Sequence, residues 1–255
     1  MTEIAASTSQ QSAWFLRPRP MTAPRIRLFC FPYAGGSASL FHQWPARAPA
    51  DVELLAVQYP GRATRLREAP LTSLDALLDG LEQAIMPLLD RPFAFFGHSM
   101  GATVAYELTR RLESSQQALP AFLFLSGRSA PQLPPVKPPI HALPDHEFVE
   151  ALRNFNGTPV ELLEHEELML MMMPTLRADF QLLETWSHRE RAPLDIPISV
   201  FGGLDDQSVP LENLDAWAAC TSHKLKRHLF PGDHFFLHQQ SDGMLNIIGR
   251  ALSAV

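Results

Sequence analysis

Short apolar runs alternate with segments of helical periodicity along most of this chain. Residues 27–31 (RLFCF), 52–57 (VELLAV), 93–96 (FAFF), 121–126 (AFLFLS), 198–201 (ISVF) and 225–230 (LKRHLF) are each followed closely by Pro or Gly. Runs this short and this apolar read as strands, and FAFF and FLFL read as strands buried on both faces. Between them Leu74, Leu77, Leu78, Leu81, Ile85 and Leu88 recur at helical spacing and predict a helix over 73–89. Ala105, Leu108 and Leu112 mark one face of a helix over 102–112, and further helices are expected near 39–44, 213–220 and 241–252. Strands alternating with helices require crossover connections, so the expected class is α/β, a mostly parallel central sheet flanked by helices.

Two stretches break the alternation. Residues 1–24 are polar and contain Pro18, Pro20 and Pro24, and read as a flexible arm before a domain spanning 25–255. Residues 131–144 hold six prolines, and no strand signal returns until Ile196. In that interval Phe148, Leu152 and Phe155 lie at i, i+4, i+7, and Asn156-Gly157-Thr158-Pro159 reads as a break. Pro174 reads as the first turn of a further helix carrying Leu176, Phe180 and Leu183. Residues 131–190 are thus expected to form a helical insertion between two sheet strands.

Composition narrows the function classes. A chain of 255 residues with 46% hydrophobic and 19% charged residues suits one large domain with a sizeable core. A formal charge of −6 gives no support to a nucleic-acid partner. Two cysteines, Cys30 and Cys220, exclude a disulfide framework and point to reduced thiols in the cytoplasm. No apolar run is long enough to cross a membrane, and the first residues carry an early Glu3 without the apolar segment of a signal peptide. There is no Walker A, G-x-G-x-x-G, H-E-x-x-H or C-x-x-C pattern, so no metal and no nucleotide cofactor is expected.

One motif carries chemistry. Gly97-His98-Ser99-Met100-Gly101 fits G-x-S-x-G, with an apolar run before it and an amphipathic segment after it. That is the strand–turn–helix setting of a nucleophile elbow, in which small flanking residues let a tight turn lift Ser99 Oγ out of the sheet edge. The same turn puts the Met100 N–H at a helix N-terminus, aimed at developing negative charge. A serine hydroxyl needs a general base and the base needs an orienting acid, which on this topology follow in the order Ser, Asp/Glu, His. His234 follows the turn Pro231-Gly232-Asp233 directly after a strand and is the expected base, with His238 next. For the acid, Gly203-Leu204-Asp205-Asp206 follows a strand; the pattern G-x-x-D-x-x-V-P selects Asp206, with Asp205 left open. A second oxyanion N–H is expected from Phe31-Pro32-Tyr33-Ala34-Gly35-Gly36-Ser37, with Ala34 as the donor. Tyr33 on that loop, and Met172 in the cluster Met169, Met171, Met172, Met173, are expected to touch substrate, although four near-consecutive residues of one helix cannot all face one way.

Beyond the elbow, FPYAGGSAS with Trp44, QYPGR, GHSMGA, LSGR, FNGTP, PTLRADF, GGLDD and PGDHFFL occur in order from about Arg27 to the C-terminus. This ordered set resembles the type II thioesterases, the free-standing editing enzymes of nonribosomal peptide and polyketide assembly lines. The resemblance implies an α/β-hydrolase fold with a helical lid. The family's nucleophile, acid and base fall on Ser99, Asp206 and His234, and its oxyanion donors on Ala34 and Met100. It further implies hydrolysis of acyl groups from the phosphopantetheine arm of a carrier protein. Apart from the resemblance, a monomer without a cofactor is expected. Arg62, Arg65 and Arg67 near the cleft are the expected contact for an acidic carrier. Two features depart from the pattern: residues 1–24 lie outside it, and Trp186 stands where Tyr is expected.

Overall fold

A computed structural model of the chain describes residues 13–155 and 165–255. Its strands are β1 (Phe15–Leu16), β2 (Ile26–Phe31), β3 (Val52–Val57), β4 (Phe93–His98), β5 (Leu123–Ser126), β6 (Ile198–Gly203) and β7 (Lys226–Phe230). They form one sheet in the order β1-β3-β2-β4-β5-β6-β7, in which every neighbouring pair is parallel except β1–β3. The described α-helices are α1 (Leu74–Ile85), α2 (Met100–Ser114), α3 (Asp145–Phe155), α4 (Glu166–Thr185), α5 (Leu211–Asp215), α6 (Phe236–Gln239) and α7 (Ser241–Leu252). No described helix is long and apolar enough to cross a membrane.

The strand pleat explains why both faces of the sheet are apolar. Phe29, Phe31, Leu55, Val57, Phe93 and Phe95 point to one side and bury the apolar stripes of α1 and α2. Leu28, Cys30, Leu54, Ala56, Ala94 and Phe96 point to the other and pack on α7 and on Phe41 and Trp44. The chain order reverses across β3-β2-β4, and ligands of open α/β sheets bind at the carboxyl ends of strands beside such a reversal. The loop after β2 and the turn after β4 both leave from that point.

The turn after β4 is compressed. A Cβ on Gly101 would lie 2.0 Å from the Phe31 carbonyl oxygen, and one on Gly97 2.1 Å from the Gly101 oxygen. Both obstacles are backbone, so they cannot rotate away. Gly101→Ala is expected to cost about 3 kcal/mol or more of stability, read as a lowered urea midpoint with unchanged slope.

Three expectations need correction. The arm is not wholly loose: residues 13–24 are docked on the body. Phe15 pairs with Val57 and packs edge-on against Phe29 at 5.3 Å. Glu53, fully buried on β3, is satisfied by Arg17 Nε at 2.9 Å, the Met21 N–H at 3.0 Å and Arg27 Nε at 3.1 Å. A buried carboxylate without such partners is costly, so this stretch has a reason to stay put. Second, Pro174 does not open a helix but lies inside α4. It is exposed, and Leu170, whose carbonyl loses its helical donor to the proline, is exposed too, so solvent reaches the interruption. On the opposite face Met169 and Leu176 join the same apolar cluster with Phe148 and Leu152, which holds α4 together across the proline.

The third correction concerns the arginines. Arg62 and Arg65 are only 5% and 9% exposed. Arg62 is clamped by Asp179, while Arg65 bonds Glu68 and lies over the Trp14 ring at 4.3 Å. Neither can form a surface patch; of the three only Arg67 is exposed. The expected break at 156–159 lies outside the described residues. Elsewhere the insertion is built around α4. Glu184 accepts the Ile140 and His141 N–H groups at 2.9 Å each, and Arg177 bonds the Leu143 carbonyl at 2.7 Å.

Candidate active site

Ser99 links β4 to α2 with φ 53° and ψ −114°. A side-chain-bearing residue adopts this conformation only when its surroundings impose it. Here the Ser99 N–H donates to the Ser126 oxygen at 2.8 Å and the Ala102 N–H to the Ser99 oxygen at 3.0 Å. His98 and Met100 on either side are fully buried, whereas Ser99 is half-buried and lines a cavity of about 640 Å³. The Met100 N–H is the first of α2, where amides have no intrahelical acceptor and carry the positive end of the helix dipole.

His234, in the loop after β7, lines the same cavity, and the buried Asp206, in the loop after β6, contacts it. His234 Nδ1 and Asp206 Oδ2 are 2.8 Å apart. Ser208 completes the arrangement, donating its N–H at 2.9 Å and its hydroxyl at 2.6 Å to Asp206 Oδ1. Burial pushes the Asp206 carboxyl up, but the His234 hydrogen bond and charge and the two Ser208 bonds outweigh it and hold the group below its ordinary range. Asp206 is therefore a carboxylate at neutral pH. Its partner nitrogen is then the protonated one, which leaves His234 Nε2 as the basic nitrogen. Asp205, the open alternative, turns the other way and accepts the Gly232 N–H at 3.3 Å, which shapes the turn before His234. Ser208 was not foreseen; the signal available was a hydroxyl two residues after an aspartate in a turn.

The remaining expectations divide. Tyr33 and Ala34 line the Ser99 cavity, and also a neighbouring cleft of about 740 Å³. Met172 lines only that second cleft, while Met169 is buried in the insertion and Met171 is exposed. His238 belongs to the cleft as well, its Nε2 3.2 Å from the Tyr33 hydroxyl. His98 lies behind Ser99, with Nδ1 2.8 Å from the Ser126 hydroxyl and its ring 5.1 Å from that of His234. Burial, aided by the His234 charge, keeps it neutral. Trp186, Phe180, Leu183, Tyr106, Trp217 and the proline-rich stretch wall the Ser99 cavity with largely apolar surface. Arg128 lies in that wall, where burial lowers its pKa to about 10. Among the described residues no group of three or more His, Cys, Asp or Glu side chains is placed to hold a metal ion.

A parallel sheet with a strained serine between its central strand and the following helix is the α/β-hydrolase architecture. The Thioesterase domain model matches residues 26–252, and the chain belongs to that family, whose members hydrolyse thioesters. It is 40% identical to the gramicidin S biosynthesis protein GrsT of Aneurinibacillus migulanus over 97% of this chain and 96% of that protein. It is 37% identical to the thioesterase PikA5 of Streptomyces venezuelae over 92% of this chain and 84% of that protein. Among solved structures it resembles the type II thioesterase BorB from the borrelidin biosynthetic cluster, with 38% identity, a TM-score of 0.85, and coverage of 94% of this chain and 97% of that one.

Proposed function

We propose that this enzyme removes acyl groups from the phosphopantetheine arm of carrier proteins in a peptide or polyketide assembly line, through an acyl-serine at Ser99. The observation that carries the mechanism is the 2.8 Å contact of Asp206 with His234, which lines the cavity that holds Ser99. Ser99 Oγ attacks the thioester carbonyl carbon while His234 Nε2 takes the hydroxyl proton. Asp206 keeps the imidazole in the required tautomer and stabilises the imidazolium. The Ala34 and Met100 N–H groups bind the tetrahedral oxyanion. Collapse breaks the C–S bond, His234 returns the proton to the departing thiolate, and an acyl-serine remains. Water, deprotonated by His234, attacks the ester; the free acid leaves and Ser99 regains its proton. The chain itself supplies every group these steps use. The carrier-bound substrate is supported by the relatives' names, which place one in gramicidin S biosynthesis and the other, a type II thioesterase, in the borrelidin biosynthetic cluster.

The test is a short acyl panel, each acyl presented on a carrier protein, on coenzyme A and as a simple oxyester. The account expects kcat/KM highest on the carrier, by about tenfold or more, and weak oxyester cleavage. Efficient oxyester hydrolysis with idle thioesters would make the enzyme a general esterase. A steep preference for long chains would make it a fatty-acyl chain terminator.

A further inference from the structure

Asp179 is 2% exposed and sits in the second half of α4, yet its carboxylate bonds to residues outside the helix. Its Oδ2 accepts the Gly35 N–H at 2.7 Å and Arg62 Nη1 at 2.6 Å, and its Oδ1 accepts Arg62 Nη2 at 2.7 Å. Arg62 is itself buried and bonds the Pro60 oxygen at 3.3 Å and the Gly36 oxygen at 3.4 Å. Leu176, one turn earlier on α4, closes the space over Gly35: a Cβ there would lie 2.5 Å from Leu176 Cδ2. Nearby, Thr175 Oγ1 donates to the Gly61 oxygen at 2.7 Å. The insertion helix thus grips the loop after β2 at Gly35 and the loop after β3 at Gly61.

The grip has a geometric consequence for Ala34. The peptide plane that bears its N–H also bears the Tyr33 oxygen, which accepts the Gly36 N–H at 2.9 Å. The next plane bears the Gly35 N–H, which Asp179 holds. With both planes fixed, the Ala34 N–H has one direction, in a loop whose glycines and φ of +75° at Gly35 would otherwise leave it many. Two ordinary purposes, holding the insertion down and neutralising a buried arginine, do not require a bond to this amide. Donors of an oxyanion site work because they are aimed before the charge develops.

We propose that Asp179 is a positioning residue for the oxyanion site: seated by Arg62, it aims the Ala34 N–H, and because it rides on α4 the site is complete only when that helix is seated on the loop. The proposal rests on the reading that Ala34 supplies an oxyanion donor to an adduct on Ser99. It makes the insertion part of the catalytic apparatus as well as a wall of the acyl cavity.

Asp179→Asn strands the Arg62 cation in the interior, so its folding is compromised and it is the weaker probe. The informative variant is Arg62→Met/Asp179→Leu, which replaces the pair with apolar side chains of similar size, an exchange that folded proteins commonly tolerate. Three quantities are read on the full chain: kcat per folded molecule, KM for an acyl-pantetheine thioester, and the inhibition constant of a trifluoromethyl ketone analogue, whose serine adduct carries the oxyanion. The expected result is a kcat lowered about 10- to 100-fold, with KM within about threefold and ketone affinity weakened by the same factor as kcat. A folded double variant with wild-type kcat, or with lowered kcat and unchanged ketone affinity, overturns the proposal. Ser99→Ala is assayed alongside. If it retains turnover, the acyl-serine reading itself fails; if it is inactive while the double variant is unimpaired, only the role of Asp179 fails.

Discussion

Ser99→Ala should abolish hydrolysis of every thioester the wild type accepts, with kcat falling by about 10⁵- to 10⁶-fold. The magnitude follows from what is lost. Without Oγ there is no covalent intermediate, and only the oxyanion donors and substrate binding remain to favour direct attack by water. The fold should be unaffected. The position is held by backbone bonds to Ser126 and Ala102, and a methyl group occupies less space than the hydroxymethyl it replaces. Alanine bears the φ of 53° no more easily than serine, so the variant and the wild type share that strain. Equal melting temperatures with a lost kcat are therefore the signature to look for.

Asp206→Asn should be the second most damaging change, lowering kcat by about 10³- to 10⁴-fold, with Asp205→Asn within a few-fold of wild type. The amide cannot stabilise the imidazolium, and its NH₂ face favours the wrong His234 tautomer. Asp205 offers the discriminating control. It contacts the Gly232 N–H, not the His234 ring, and an asparagine oxygen can still accept that bond. A large loss at Asp205 with little at Asp206 would reverse the assignment. The pH profile gives an independent reading, because Asp206 is held below its ordinary range by His234 and Ser208. Ser208→Ala removes the hydroxyl bond and keeps the backbone N–H bond, and should raise the Asp206 pKa. The acidic limb of kcat/KM should then move to higher pH only where that carboxyl titrates, at acid pH and not near neutrality.

These effects trace to the parts of the molecule that the chain announces locally. The nucleophile turn was legible because its demands are contained within five residues: two glycines whose missing Cβ atoms make room, between an apolar strand and an amphipathic helix. The placement of His234 beside Asp206 is legible from a turn directly after a strand. The choice between Asp205 and Asp206 was not, because adjacent residues in a turn point in directions that only the packed strand ends determine. The burial of the arginines is illegible for a related reason. Arg62 and Arg65 look like surface cations until Asp179, distant in sequence, and the Trp14 ring are brought against them. The short strand β1 leaves no signal in the sequence because two residues carry no periodicity, and its anchor is the buried Glu53 on another strand. Pro174 misled because its local rule yields when the helix is clamped on both sides of the proline.

The central claim, that Ser99 carries the acyl group during turnover, is tested most directly by intact-protein and peptide mass measurement. The enzyme would be mixed with an excess of acyl-loaded carrier protein and quenched with acid within milliseconds to seconds. The account predicts an added acyl mass on the peptide spanning the Gly97–Gly101 turn, localised to Ser99, that appears and decays with turnover and is absent from Ser99→Ala. Turnover with no adduct at Ser99 at any time, together with a Ser99→Ala enzyme that still hydrolyses the carrier-bound thioester, would contradict it.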